Sequence, residues 1–250
     1  AFAIALAAFH RKLKVVHLEA GLRTYNISDP YPEEFNRQAI ARLTDIHLCP
    51  TDTAAENLSN ERVSGQIHVV GNTVLDNLKD VKTEYTNKIL VTMHRRENHD
   101  IIHKWFQEIN KLAQDNPDLE FILPMHPNPN VQMHKHILKN VKVVNPMPHK
   151  EFINLVAKSK FVITDSGGLQ EESSFFKKKC IICRKTTERT EGLGTFAIKS
   201  PTPEQLSGIF KVINKQPVPL GECPYGDGNA AAKIFKVIKT ENLRNDMALN

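Results

Sequence analysis

No run of apolar residues in this chain approaches the ~20 residues that a membrane-spanning helix needs. The nearest candidate is the N-terminal stretch, residues 1–9, which is apolar and rich in alanine. It lacks the preceding basic residues and the small-residue cleavage site of a signal peptide. We therefore predict a buried helix over these residues, and no membrane as a partner.

Cysteine is also scarce, with four in 250 residues. Cys180 and Cys183 have the spacing of redox and zinc sites, but they lie in an apolar, strand-like run in which positions three apart point to opposite faces. A zinc site would need a second pair, and a redox pair would need a helix N-terminus at its first cysteine. We predict buried strand cysteines, no metal site, and a reducing, cytoplasmic location.

Aromatic residues make up only 7% of the chain, and they are not interleaved with basic residues into a stripe of the kind that binds nucleic acid. The net charge of +5 belongs to a well-mixed set of positive and negative residues. This mild excess favours an anionic small molecule, and not nucleic acid, as the ligand.

What the sequence does contain is a repeated alternation of short apolar runs with longer helical segments, which is typical of βαβ units with a parallel sheet. A polar stretch at residues 83–87 interrupts the series. We predict an α/β protein with a first domain over residues 1–82, a second over residues 83–228, and a C-terminal helix over residues 229–250 that packs back toward the first domain.

Polar, glycine or ionisable residues follow nearly every predicted strand at once. In open parallel sheets, ligands bind outside the carboxyl ends of the strands. Two such sheets that face each other across a cleft would bring all of these residues together, so the repeated pattern predicts a ligand site there.

The clearest of these strand ends is the serine–glycine turn, in which Ser166, Gly167 and Gly168 lie between the strand of residues 161–164 and a helix. Glycines let a ligand approach the backbone, and the free N–H groups of a helix's first turn favour a phosphate. Glu172 lies further along the helix, where it could accept hydrogen bonds from ribose hydroxyls. The alternative is a simple strand–turn–helix with a capping serine and solvated acids, and these residues alone do not decide between the two.

Acidic residues with candidate roles in proton transfer occur early in the chain. Glu19 follows the first predicted strand, and Glu33 and Glu34 open a helix after two prolines, with Arg37 one turn further on. A pair of carboxylates oriented by an arginine could move protons. Acids in a first turn also offset the helix dipole, and in isolation the residues favour this structural interpretation.

Basic residues follow several later strands. His94 and Arg95 come directly after one strand, in an arrangement that favours an anion. His126 follows the next strand in a weaker version of the same pattern. Arg189 follows the strand after the serine–glycine turn and could reach a pyrophosphate held there, whereas Phe152 could flank a base or belong to the core.

Eight segments, taken together and in order, closely resemble the non-hydrolysing UDP-N-acetylglucosamine 2-epimerases. They extend over essentially the whole chain: residues 19–24 (EAGLRT), 32–37 (PEEFNR), 70–73 (VGNT), 94–97 (HRRE), 126–129 (HPNP), 164–172 (TDSGGLQEE), 186–189 (TTER) and 225–228 (YGDG). The DSGG form of the sixth segment is similar to the non-hydrolysing branch, since hydrolysing relatives tend to carry a serine-rich version.

The resemblance implies a glycosyltransferase-B-like architecture of two Rossmann-like domains facing across a cleft, and a homodimer. It also implies an activity, the interconversion of UDP-N-acetylglucosamine and UDP-N-acetylmannosamine for cell-surface polysaccharide precursors. The reaction proceeds by anti-elimination of UDP and its re-addition, and it needs neither a cofactor nor a metal.

Residue roles follow from the same resemblance. The implied catalytic residues are Glu19, Glu33 and His94. The implied substrate-binding residues are Arg37, Phe152, Ser166, Gly167, Gly168, Glu172 and Arg189. Bacterial members can bind a second UDP-N-acetylglucosamine as an activator, and the positions that resemble that contact set are Glu34, Arg95 and His126.

The chain also departs from the family pattern. The family's N-terminal strand, its phosphate loop and an aspartate expected shortly before Ala1 are absent from the sequence. The first domain is therefore expected to be incomplete at its N-terminus, with an exposed sheet edge, and the 250-residue chain by itself to be inactive or nearly so. The alternatives are a hydrolysing epimerase, another nucleotide-sugar transferase, and a UDP-sugar-binding module that another chain completes.

Overall fold

The computed structural model describes the backbone of residues 1–248 and the side chains of residues 1–241. Contacts divide the chain into two compact units. The first unit consists of Ala1–Lys79 together with the residues from Pro224 onward, and the second is Asp80–Cys223. The chain therefore leaves the first unit once and returns to it near its C-terminus.

The first unit is built on a sheet of three parallel strands in the order β1-β2-β3. Its elements up to the second unit are α1 (Phe2–His10), β1 (Val16–Leu18), α2 (Glu33–Ala41), β2 (Ile46–Cys49), α3 (Asp52–Asn60), β3 (Gln66–Val69) and a 3₁₀ helix (Thr73–Leu78). Helix α3 begins where the Thr51 hydroxyl accepts a hydrogen bond from the backbone N–H of Ala54. Strand β2 is central and fully buried, because helices cover it on both sides.

Helix α1 forms where the sequence predicted a helix, but the prediction that it is buried is wrong. Only Ala5 is buried along its length, and it packs with Val15 and Ile40. Ile4 and Phe9 are 76% and 53% exposed. The apolar composition suggested burial, but the helix is apolar on all sides and the described residues cover only one of its faces.

The second unit is built on six parallel strands in the order β6-β5-β4-β7-β8-β9. Its strands are β4 (Lys88–Thr92), β5 (Glu120–Pro124), β6 (Lys142–Val144), β7 (Phe161–Thr164), β8 (Lys179–Ile182) and β9 (Ala197–Lys199). Its helices are α4 (Ile102–Asp115), α5 (Pro129–Gln132), α6 (His149–Lys158), α7 (Gly167–Phe175) and α8 (Pro203–Lys215), with 3₁₀ turns at Arg96–Ile101 and Lys135–Ile137.

This strand order places a topological switch point between β4 and β7, because the chain runs outward from β4 on one side and from β7 on the other. It is the order of the Rossmann fold, in which ligands bind at the carboxyl ends of the strands beside the switch. The predicted α/β class with Rossmann-like domains is confirmed. The short strand β9 was not predicted, since three residues carry too little pattern to be recognised.

In the core of the second unit, Trp105 of helix α4 and Phe210 of helix α8 pack on the sheet, where Phe210 meets the rings of Phe121 in β5 and Phe161 in β7. The free thiols of Cys180, which lies in β8, and of Cys183, directly after it, are fully buried. Burial raises the pKa of both thiols, which makes them poor nucleophiles. Both are therefore packing residues of the core, in agreement with the sequence.

The last helix, α9 (Ala230–Ala248), belongs to the first unit. The carboxylate of Asp76 accepts hydrogen bonds from the backbone N–H groups of Ala230 (2.9 Å) and Ala231 (2.7 Å) at its start. Asp76 lies in the 3₁₀ helix Thr73–Leu78. Its carboxylate joins two parts of the chain that are 154 residues apart.

Candidate active site

A cavity of about 260 Å³ lies within the second unit, at the carboxyl ends of β4, β5 and β7. Five residues that the sequence predicted for the site line it together: His94, His126, Phe152, Ser166 and Glu172. The remaining wall is largely apolar and comes from Thr92, Pro124, Met125, Pro127, Pro146, Met147 and Leu169. A mostly apolar cavity with a few polar groups is typical of a small-molecule site.

Beside this cavity, the N-terminus of α7 is bracketed by two guanidinium groups. A Cβ placed on Gly167 would lie 2.6 Å from Nη1 of Arg189 and 3.5 Å from Nη2 of Arg95. The N–H groups at the start of a nine-residue helix add a positive potential at the same point. Two cations and a helix N-terminus together form a site for an anion such as a diphosphate.

The two glycines of the turn differ in their surroundings. A side chain on Gly167 would meet the guanidinium of Arg189, whereas a Cβ on Gly168 would have no heavy atom within 4 Å. A side chain at the first position would therefore have to displace the guanidinium of Arg189, whereas the second position has room for one.

Two buried carboxylates hold Arg189 in place. Its Nε lies 2.7 Å from Oε1 of Glu171, and its Nη1 lies 2.6 Å from Oε1 of Glu188. Glu188 also lies 3.5 Å from the buried guanidinium of Arg184, which in turn pairs with Glu97 at 2.6 Å. Ion pairs on both sides keep the guanidinium of Arg189 from swinging away, so it is oriented before any ligand arrives. No role was predicted for Glu171 or Glu188 from the sequence, although both are acids within recognised segments.

Asp165 joins the two strands of the switch point and is fully buried. Its carboxylate accepts hydrogen bonds from the backbone N–H groups of His94 (3.0 Å) and Arg95 (2.9 Å) and from the side-chain amide of Asn98 (3.1 Å). Asp165 lies within one of the recognised segments, but no role was predicted for it from the sequence. The signal was present, because a carboxylate directly after a buried strand needs partners.

The imidazole of His94 stacks on that of His126, with ring centroids 5.1 Å apart and an angle of 17° between the planes. Burial lowers the pKa of His94 below its ordinary value of 6.5, and the neighbouring His126 and Arg95 lower it further, whereas Asp165 raises it. An anion bound beside the ring would favour its protonated form.

At the other side of the cavity, Oε1 of Glu172 lies 3.4 Å from Nε2 of His149, the first residue of α6. Burial raises the pKa of Glu172 above its ordinary value of 4.5, and the contact with His149 counteracts part of that effect. Phe152 follows on the same helix and is half-buried. Helix α6 therefore brings an aromatic ring and a partner for the carboxylate to one cavity. His149 was not predicted from the sequence.

The first unit contains the remaining predicted residues. Glu19 lies directly after β1 in a left-handed backbone conformation (φ 59°) and is exposed. Glu33 is exposed at the start of α2, and Arg37 is half-buried one turn further on. Both acids are thus accessible, and neither belongs to the cavity of the second unit.

Glu34 differs from its neighbour Glu33 in being fully buried. Its carboxylate accepts hydrogen bonds from the backbone N–H groups of Thr24 and Tyr25, both at 3.1 Å, and from the side chain of Gln38 at 2.9 Å. It therefore fixes the loop that follows β1.

The sequence profile of the UDP-N-acetylglucosamine 2-epimerase family matches residues 1–239, which is nearly the whole chain. The chain belongs to this family. A UDP-N-acetylglucosamine 2-epimerase of Campylobacter jejuni is 39% identical, over 94% of this chain and 70% of the relative. The Bacillus subtilis enzyme is 37% identical, over 94% of this chain and 68% of the relative.

Solved structures of UDP-N-acetylglucosamine 2-epimerases are also similar to this chain. The Neisseria meningitidis epimerase, bound to UDP-N-acetylglucosamine, superposes with a TM-score of 0.83 at 33% identity, covering 96% of this chain and 73% of that one. The Methanocaldococcus jannaschii epimerase, in complex with UDP-N-acetylglucosamine and UDP, gives a TM-score of 0.78 at 27% identity, covering 96% and 72%. The predicted family and its glycosyltransferase-B-like fold are confirmed; the assignment of individual site residues stays a prediction.

No helix among residues 1–248 combines the length and the apolar character that crossing a membrane requires. Within the part of the chain that the structure describes, no three histidine, cysteine or acidic side chains are grouped closely enough to hold a metal ion.

Proposed function

We propose that the chain is part of a non-hydrolysing epimerase that interconverts UDP-N-acetylglucosamine and UDP-N-acetylmannosamine. The observation that supports this most directly is the anion site at the start of α7, between Arg95 and Arg189, beside a cavity that contains Phe152 and Glu172. A nucleoside diphosphate has the matching parts: a base, a ribose and two phosphates. Family membership supports the same substrate.

In this proposal the second unit binds the UDP moiety. The diphosphate lies against the backbone of Ser166, Gly167 and Gly168 and is neutralised by Arg189. Glu172 accepts hydrogen bonds from the ribose hydroxyls, and Phe152 stacks on the uracil.

The chemistry requires a bond to carbon 1 to break before carbon 2 loses its proton, because that proton is barely acidic. UDP leaves first, with oxocarbenium character building at carbon 1, and the cations beside α7 stabilise the departing diphosphate. A carboxylate then removes the proton from carbon 2, which gives 2-acetamidoglucal. Return of a proton to the opposite face and re-addition of UDP complete the epimerisation.

We assign the two proton transfers to Glu19 and Glu33 of the first unit, with Arg37 as a supporting charge. His94 contacts the diphosphate or takes part in acid–base chemistry. Glu19 and Glu33 are accessible, as a group that meets substrate must be.

A second UDP-N-acetylglucosamine as an activator is part of the same proposal. Arg95, which also borders the anion site, and His126 would contact it. The sequence placed Glu34 in the same contact set, but its carboxylate is buried against the backbone of Thr24 and Tyr25, so Glu34 would act through that loop. We also propose a homodimer. A cytoplasmic location is part of the same proposal, since the cysteines that the structure describes form no disulfide.

The nucleotide-binding half of the proposal is tested by calorimetric titration of the 250-residue chain with UDP. We expect saturable binding that Arg189→Ala weakens by about tenfold or more, because a charge-assisted contact to phosphate is lost. Lys211→Ala, which removes one exposed positive charge from α8, is the matched control. Unchanged affinity of the Arg189 variant for UDP would refute its role.

The catalytic half is tested separately, because the sequence predicts little turnover by the 250-residue chain alone. We would join the N-terminal portion of the Campylobacter jejuni relative to Ala1 and incubate this chimera with UDP-N-acetylglucosamine in deuterated water. UDP-N-acetylmannosamine with deuterium at carbon 2 is the expected product. Free N-acetylmannosamine plus UDP would indicate a hydrolysing enzyme instead, and UDP binding without either product would indicate a binding module.

A further inference from the structure

Asp165 has no role in the function proposed above, although it is the most completely buried acid at the carboxyl ends of the strands in the second unit. It follows the last residue of β7 and precedes the serine–glycine turn, and its side chain has no exposed surface. A buried carboxylate is costly unless its charge is met by hydrogen bonds or by a counter-charge. For Asp165, the hydrogen-bond donors come from the loop that follows the neighbouring strand, β4.

Strands β4 and β7 are paired up to Thr92 and Thr164, the last residues of each. Beyond them, the Asp165 carboxylate continues the connection. It accepts hydrogen bonds from the backbone N–H groups of His94 and Arg95, which lie just beyond the end of β4. The two residues whose N–H groups it binds are the ones that send an imidazole into the cavity and a guanidinium toward Gly167.

The side chain of Asn98 binds the same carboxylate. Its side-chain amide donates to Asp165 at 3.1 Å and to the carbonyl of Cys183 at 3.0 Å, and its own oxygen accepts from the indole of Trp105 at 3.3 Å. Through Asn98, the carboxylate is therefore linked to the end of strand β8 and to helix α4. It cannot shift without disturbing several buried hydrogen bonds.

We propose that Asp165 is a positioning residue of the nucleotide site: its carboxylate fixes the backbone of His94 and Arg95 so that both side chains meet the diphosphate at the start of α7. This rests on the proposed function, because it presupposes that a diphosphate binds there. Asp165 does not itself touch the substrate. An unpaired carboxylate so near a diphosphate would repel the ligand. At Asp165, three hydrogen-bond donors and the two arginines offset the negative charge of the carboxylate.

The test compares UDP with uridine, which has the base and the ribose but no phosphates. Asp165→Asn keeps the size of the side chain, but it replaces one acceptor oxygen by an amino group that faces an N–H donor. We expect the affinity for UDP to fall by about tenfold and the affinity for uridine to stay within about twofold. Asp118→Asn, an exposed aspartate of the same unit, is the matched control and should change neither.

The pH profile supplies a second measurement. Asp165 raises the pKa of His94, whereas burial, His126, Arg95 and His99 lower it. Loss of the carboxylate charge should therefore move the pH at which protonation of His94 strengthens UDP binding to a lower value. The other groups that face His94 are unchanged in the variant, so a shift in the pH dependence of UDP affinity reports on Asp165.

Equal losses of UDP and uridine affinity would show that Asp165 only supports the fold, and an unchanged UDP affinity would show that it positions nothing; either overturns the proposal. Should Asp165→Asn not fold, Asp165→Glu decides, since it keeps the charge but displaces it, and the same selective loss for UDP is expected. If the unaltered chain binds neither ligand, the proposed function itself fails. If it binds both and the variants show no selectivity, only the role of Asp165 fails.

Discussion

Arg189 lies directly against the backbone of Gly167, so close that a single methyl group at position 167 would stand 2.6 Å from its Nη1. The arginine cannot easily yield, because Glu171 and Glu188 hold it at 2.7 Å and 2.6 Å. Its position is therefore set by two carboxylates on one side and by the absence of a side chain on the other. This arrangement makes the first glycine of the turn a spatial requirement of the anion site.

Gly167→Ala should accordingly weaken UDP binding by about tenfold, because the new methyl group displaces the guanidinium from its ion pairs and from the phosphate. Titration calorimetry with UDP measures the effect. Gly168→Ala meets no neighbour, so its loss should be clearly smaller. Gly208→Ala, in the middle of α8 with open space around it, serves as the control for a general glycine-to-alanine effect. Equal losses at positions 167 and 168 would contradict the steric argument.

Uridine binding should depend on pH through Glu172. Burial raises the pKa of this carboxyl above 4.5, so it takes up its proton at a higher pH than an ordinary glutamate does. The ionised form is the better acceptor for ribose hydroxyls, and uridine affinity should therefore fall as the pH is lowered, beginning above that ordinary value. Uridine is the suitable ligand, since it lacks the phosphates through which His94 would act in the opposite direction.

His149→Ala tests the cause of that pH dependence. Its contact with Glu172 lowers the pKa of the carboxyl, so removing the imidazole should move the loss of uridine affinity to a still higher pH. Uridine affinity is measured by titration across the same pH range. If its pH dependence is the same in the variant and the unaltered chain, the two side chains are not coupled in solution.

Glu19→Gln and Glu33→Gln, each introduced into the chimera, should leave UDP affinity intact and suppress turnover. The reason is that glutamine keeps the shape of the side chain but cannot accept the proton from carbon 2. Turnover is followed by the appearance of UDP-N-acetylmannosamine and by deuterium incorporation at carbon 2. Near-normal rates with exchange in either variant would show that the residue has been given the wrong role.

The docking of α9 should depend on Asp76, whose carboxylate caps the start of the helix. We expect Asp76→Ala to lower the free energy of unfolding by about 1 kcal/mol, as the loss of a helix cap typically does. Denaturant unfolding followed by circular dichroism measures it. Asp80→Ala, an exposed aspartate nearby in sequence, should change stability by much less; a similar loss in both would remove the case for a cap.

Local patterns in the sequence were sufficient for the class of fold and for the elements near the site. The run of apolar and β-branched residues at 161–164 and the glycines after it predicted the strand and helix that the structure contains. The exposure of helix α1 and the existence of strand β9 were not predictable in the same way. Burial depends on which other segments cover a surface, and a three-residue strand is defined by its pairing with β8.

The sequence by itself determined the family, the parallel α/β architecture and the residue types that could meet a nucleotide sugar, because these depend on periodicity and on ordered motifs. Only the tertiary structure decided that Asp165 fixes His94 and Arg95, that Glu171 and Glu188 hold Arg189, and that Glu34 is buried while Glu33 is exposed. The physical reason is that a carboxylate's role depends on which donors the fold brings within about 3 Å of it, and those donors lie in distant parts of the chain.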